Sequence, residues 1–271
     1  YLEKALAIKI EIGNRHGEAL CYGNLGTLVK SLGQYDKARE YLEKASAINK
    51  EIGNRDGEAS YFLKLGILFT SPGQYDKARE YMEKAFAVNK EIGNRGGEDS
   101  CYESLAALFQ SLGQYNKARE HLEKSLAIRV EIGNRDGEVL GYRNLGALFQ
   151  TLGEYVVSQE YLEKALHVGK ITGYRKLEGC IYADLTDLFL SIGKYGEAEK
   201  YLEKAKAIRK ETVDRIGEAA DLGRLGIISF KRGEYNNAQE YYNRALAIYM
   251  EIGEREGEVT YANLGLCFQS L

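Results

Sequence analysis

The sequence repeats itself every forty residues, and this period limits the fold more than any other feature. The pentapeptide Glu-Ile-Gly-Asn-Arg occupies 11–15, 51–55, 91–95 and 131–135. Asn24-Leu25-Gly26 aligns with Lys64-Leu65-Gly66, Ser104-Leu105-Ala106, Asn144-Leu145-Gly146, Asp184-Leu185-Thr186 and Arg224-Leu225-Gly226. The run LGQYDKAREYLEKA at 32–45 returns in five further versions, and the period holds to about residue 258, where one residue is lost. Such an array has no single core, because each unit buries its apolar face against its neighbours.

Each unit reads as two helices. The first runs from about Gly17 to Leu32, with Tyr22, Leu25, Leu28 and Val29 on one face at spacings of three and four. Gly33 ends it. The second runs from about Asp36 to Glu51, with Ala38, Tyr41, Leu42, Ala45 and Ile48 on one face and Glu40 beside Lys44. Gly13, Gly53, Gly93 and Gly133 are placed to close the second helix, since glycine accepts the left-handed conformation there. Asp56 and Asp136 are expected as N-caps of the helix that follows. The 30 glycines of this chain are therefore punctuation.

The pattern aromatic-x-x-Leu-Gly, then Gly-x-Tyr-x-x-Ala-x-x-Tyr-Leu-x-x-Ala across the turn, resembles the tetratricopeptide repeat (TPR) over the whole chain. That resemblance implies an all-α, right-handed superhelical solenoid of antiparallel helix pairs, with helix A lining a concave groove that takes extended peptides or helices. The array is expected to be single over 1–271. It opens with a helix B fragment at 1–12 and closes with a helix A fragment at 256–271. Between them lie repeats at about 16–52, 56–92, 96–132, 136–172, 176–212 and 216–252, giving about fourteen helices. The usual proline late in helix B is replaced by Lys50, Lys90, Val130, Lys170, Lys210 and Met250, so helix B can run on. The forty-residue unit resembles repeats of the G-protein-signalling modulator (LGN-like) class. It also resembles long invertebrate TPR arrays and TPR-bearing innate-receptor-like proteins.

Residues identical in every copy serve stacking, because a ligand is not itself periodic at forty residues. Arg15, Arg55, Arg95, Arg135, Arg175, Arg215 and Arg255 are each followed three residues later by Glu18, Glu58, Glu98, Glu138, Glu178, Glu218 and Glu258. The glutamate suits the positive end of helix A, and the arginine can reach it or the carbonyls ending the preceding helix B. These positions are read as a structural joint. Of the 21 tyrosines, 17 fall in three repeat columns, which points to packing rather than to base stacking.

The groove-facing columns vary, as an aperiodic ligand requires. Asn24, Asn144 and Asn263 resemble the asparagines that hold ligand backbone in TPR proteins, since an amide both donates and accepts. Lys64, Arg143 and Arg224 are placed to meet acidic ligand side chains, and Asp184 and Asp187 a basic one. Leu190 and Phe230 stand where other copies carry polar residues and are expected to form an apolar pocket, although Ser229 in a phenylalanine column allows Phe230 simply to pack.

Composition narrows the classes further. A net charge of −3 does not favour nucleic acid or an anionic membrane, and no apolar run reaches membrane-spanning length. Cys21, Cys101, Cys180 and Cys267 show no metal-ligand spacing and read as reduced, which suggests a cytoplasmic home. His16, His121 and His167 lack a nucleophile partner, and no phosphate loop occurs, so neither an enzyme nor a cofactor is expected. The expected function is a protein-interaction scaffold binding a protein or peptide. Its rivals are a structural spacer or self-assembly module, and a ligand-sensing array of a multidomain signalling protein. Tyr1 reads as mid-helix, so a longer parent is expected, or end-to-end pairing through Tyr261, Leu264 and Phe268.

Overall fold

The computed structural model describes residues 1–70, 74–253, 260 and 262–265. Among the described residues there are thirteen complete helices, further helical residues at 260 and 262–265, and no strand. They are α1 (Leu2–Glu11), α2 (Arg15–Ser31), α3 (Tyr35–Glu51), α4 (Arg55–Leu68), α5 (Tyr75–Glu91), α6 (Arg95–Ser111), α7 (Tyr115–Glu131), α8 (Arg135–Thr151), α9 (Tyr155–Thr172), α10 (Arg175–Ser191), α11 (Tyr195–Thr212), α12 (Arg215–Lys231) and α13 (Tyr235–Ile252). Two compact units, Tyr1–Asn134 and Arg135–Leu271, divide these helices. Within each unit an even-numbered helix A pairs with the odd-numbered helix B that follows, and each hairpin packs on the next.

The hairpins close because small residues let two helices meet. Ala38, Ala45, Ala78, Ala85, Ala165, Ala198, Ala205, Ala238 and Ala245 are fully buried along the B helices. Gly26 lies against Leu42 so closely that a Cβ would come within 3.0 Å of its Cγ. In two copies a hydroxyl takes the small position: Ser158 Oγ donates to the Gly146 carbonyl at 2.8 Å, and Thr186 Oγ1 to the Tyr182 carbonyl at 2.9 Å. The tyrosine columns pack as rings, with Phe69 on Tyr81, Phe149 on Tyr161 and Phe189 on Tyr201 at 5.3–5.5 Å. His121 takes the tyrosine place in one copy and stacks on Phe109 at 5.2 Å, its pKa lowered by burial.

The pentapeptide is explained residue by residue. Glu51 ends α3, and Ile52 is its C-cap. Gly53 has φ +72°, and the Asn54 amide donates to the Asn49 carbonyl at 2.8 Å, which is a Schellman closure. Asn54 then caps α4, its Oδ1 accepting from Gly57 N at 3.1 Å. Asn14, Asn94 and Asp214 cap in the same way at 2.8–3.0 Å. This corrects the expectation for Asp56 and Asp136. The turn is so tight that helix resumes at the arginine, leaving both aspartates inside the first turn. Asp56 instead accepts from Asn94 Nδ2 at 2.6 Å, tying one hairpin to the next. At Val213 a β-branched residue takes the left-handed conformation (φ +53°), at a cost of about 1–2 kcal/mol.

Hairpins also lock by reciprocal size. A Cβ on Gly57, Gly97 or Gly217 would collide with Asn49, Asn89 or Arg209 of the preceding helix B. Where that preceding position shrinks to Gly169, the glycine opposite becomes Leu177, which is buried.

Candidate functional site

Among the described residues the joint arginine bridges the open end of five of the six hairpins. Arg15 Nη1 donates to Glu18 at 2.7 Å, and its Nη2 pairs with Glu51. Arg55 pairs with Glu58 and Glu91, Arg95 with Glu98 (2.6 Å) and Glu131. Arg175 pairs with Glu178 and with Glu211 (2.8 Å), Arg215 with Glu218 (2.6 Å) and Glu251 (2.7 Å). The second partner is therefore the last carboxylate of helix B in the same hairpin, rather than carbonyls of the preceding one. Antiparallel packing puts the start of helix A beside the end of its own helix B. Arg135 pairs with Glu138 at 2.7 Å, and position 171 carries isoleucine instead of glutamate. Arg255 and Glu258 lie outside the described residues.

On the other columns, the Arg135–Leu271 unit gathers charge. Arg143, Asn144, Asp184 and Asp187 line one cleft of about 580 Å³, with Gln150 and Ser191 hydrogen bonded across it at 2.9 Å. Arg143, Asp184, Asp187 and Arg224 are paired with one another. Arg143 Nη2 donates to Asp184 Oδ1 at 3.1 Å. Arg224 holds Asp187 with two hydrogen bonds of 2.7 and 2.8 Å, and Asp221 with one of 3.1 Å. The bidentate geometry matches a planar guanidinium to a carboxylate. Burial, opposed by the Arg143 hydrogen bond, pushes the Asp184 carboxyl above its ordinary value. The single-sign contacts expected of these residues give way to an ordered chain of ion pairs running from α8 through α10 to α12.

The apolar pocket expected of Leu190 and Phe230 is not assembled. Leu190 packs beside Phe189, Ala198, Leu202 and Ile228, whereas Phe230 packs on Ala238 and Tyr242 and meets Tyr235 edge-on at 5.3 Å. Phe230 is half-buried, as Gln110, Gln150 and Leu190 of its column are. In the Tyr1–Asn134 unit Asn24 and Lys64 are exposed, and Lys64 Nζ stands 5.0 Å over the Tyr61 ring. Asn263 is half-buried in helix. Leu264 packs against the Tyr242 cluster, while Tyr261, Phe268 and Cys267 lie outside the described residues.

Two buried charge clusters escaped the reading by column. Arg129 Nε donates to both Asp99 oxygens at 2.9–3.0 Å, Ser125 Oγ donates to Asp99 at 2.5 Å, and Arg129 Nη2 meets Glu103 at 2.6 Å. In the other unit Arg209 Nε and Asp221 Oδ2 face each other at 3.8 Å, both buried and without a hydrogen bond at those atoms. Asp99 in the column of Ala19 and Ala59, Asp221 in the column of Cys21, Tyr61 and Cys101, and Arg129 and Arg209 in the column of Asn49 and Asn89 are the available signals. Among the described residues no helix is long and apolar enough to cross a membrane, and no group of three or more His, Cys, Asp or Glu is arranged to hold a metal ion.

A helix-pair array with these joints is a tetratricopeptide repeat protein. Models of that repeat match residues 1–51, 30–91, 57–131, 98–171 and 138–211, and a second matches 222–250, so the chain belongs to the tetratricopeptide repeat family. No curated protein sequence matches it. Among solved structures it is similar to the Signal Transduction ATPase with Numerous Domains protein PH0952 from Pyrococcus horikoshii, which carries a tetratricopeptide repeat sensor. The TM-score is 0.74 at 17% identity over 97% of this chain, which spans 40% of that one. Aspartyl phosphate phosphatase F from Bacillus subtilis gives 0.70 at 17% identity, covering 97% of this chain and 74% of its own. A Rap protein complexed with competence and sporulation factor gives 0.61 at 14% identity, covering 94% and 75%. These likenesses concern the fold.

Proposed function

We propose that the chain is a non-enzymatic protein-interaction scaffold. It takes an extended or helical peptide segment along the groove face of its A helices. The observation that carries this reading is the division of columns: joint positions are constant, while groove positions change from copy to copy and converge in unit Arg135–Leu271 on a polar cleft. The similar Rap protein was solved with a factor bound. Asn24, Asn144 and Asn263 would hold ligand backbone. The paired Arg143–Asp184 and Arg224–Asp187 would read ligand charge by order rather than by sign. Lys64 would add a cationic contact. A cytoplasmic, LGN-like adaptor fits the reduced cysteines and the forty-residue unit.

The rival is a spacer, favoured by the near-identity of the first four repeats. A pair-preserving exchange separates them. Arg143→Asp with Asp184→Arg keeps an ion pair but reverses its order. Captured from native lysate by the two proteins, matched in helicity by circular dichroism, the partners of the wild type are expected to be lost or replaced. Identical partners on both, or recovery of the chain alone, would leave the spacer.

A further inference from the structure

Among the described residues five hairpins hold their joint arginine between two carboxylates, and one does not. In the α8–α9 hairpin Ile171 stands where the others carry Glu51, Glu91, Glu131, Glu211 and Glu251. The Arg135 side chain is 62% exposed, against 35–43% for the five doubly held arginines. It opens on a cleft of about 730 Å³ whose walls include Tyr142, Val168 and the 69%-exposed Ile171. We infer that this incomplete joint is a docking site for a partner protein segment that presents a carboxylate beside an aliphatic side chain, the carboxylate completing the bridge that glutamate makes elsewhere.

The chemistry of the occupant follows from the other copies. Each shows that the guanidinium at this helix start accommodates a second carboxylate while still holding the first. The helix N-terminus adds favourable potential for an anion. Ile171 offers apolar contact where the in-chain carboxylate is missing, so the incoming segment carries both features. Glu138, Glu160 and Glu163 stand in the same cleft with Lys164 and His167, and Glu163 accepts from Gln159 at 2.8 Å. These carboxylates outnumber Arg135 and Lys164, so the site takes a carboxylate only at the Arg135 guanidinium and excludes a polyanion.

The probe is a capped pentapeptide with one glutamate between two leucines, titrated into the full chain and followed by amide and methyl NMR. Shifts are expected at Arg135, Tyr142 and Ile171. Binding should weaken about tenfold when the peptide glutamate becomes glutamine, and also at high salt. Ile171→Glu restores the in-chain carboxylate found in five hairpins, so it should fold and lose the peptide. Equal binding by Ile171→Glu, shifts confined to the groove residues, or no shifts at millimolar peptide would overturn the inference. The groove reading would be untouched by that failure.

Discussion

Arg129→Ala is expected to cost the Tyr1–Asn134 unit about 3–5 kcal/mol, because it leaves the buried Asp99 carboxylate without its cation. Arg129 Nε spans both oxygens of Asp99, and Ser125 saturates one of them. Losing the guanidinium strands a charge between α6 and α7, where water cannot easily replace it. Replacing both partners by apolar residues, Arg129→Met with Asp99→Leu, should recover most of the loss, since the desolvation cost disappears with the charges. Hydrogen exchange of α6 and α7 amides in the full chain reads the effect locally, which suits an array whose hairpins need not unfold together. An alanine variant with wild-type protection there would mean the pair contributes nothing.

A second large effect is expected from pH. Burial, only partly offset by Arg224 and Arg209, raises the Asp221 carboxyl to about 6. In the unfolded chain it titrates near ~3.9. Between these values the folded state binds the proton and the unfolded state does not, so this group's contribution to stability falls as pH rises through the window. Over about two pKa units the difference amounts to about 3 kcal/mol. Asp221→Asn should remove it. The wild type minus variant difference, followed by denaturant unfolding from pH 4 to 7, should grow steadily to the disadvantage of the wild type. A difference that stays flat would show that Asp221 ionises in the fold as easily as in water.

Both effects come from residues that periodicity hides. The period itself was plain, and with it the helix pairs, the tyrosine stacking and the glycine turns, because each is the same local event repeated. The cap was misread by two residues. An αL glycine followed at once by a capping asparagine is a tighter turn than Asp56 suggests. The pairing of the charges is hidden for a different reason. Arg143 meets Asp184 forty-one residues on, and Arg224 meets Asp187 thirty-seven residues back. These offsets join neighbouring columns of adjacent repeats, so a column read by itself makes each charge look free. Phe230 packs on Ala238 and Tyr242 of the next helix, a contact that its own column does not reveal.

Some columns hold the array together, and others are proposed to meet a partner. Photo-crosslinking tests this separation most directly. A photoreactive residue is placed at Asn144, on a helix A, in one preparation and at Lys206, on the helix B α11, in another, and each is irradiated with a captured partner. The account predicts an adduct from position 144 and none from position 206. Equal adducts from both, or an adduct from 206 alone, would contradict it.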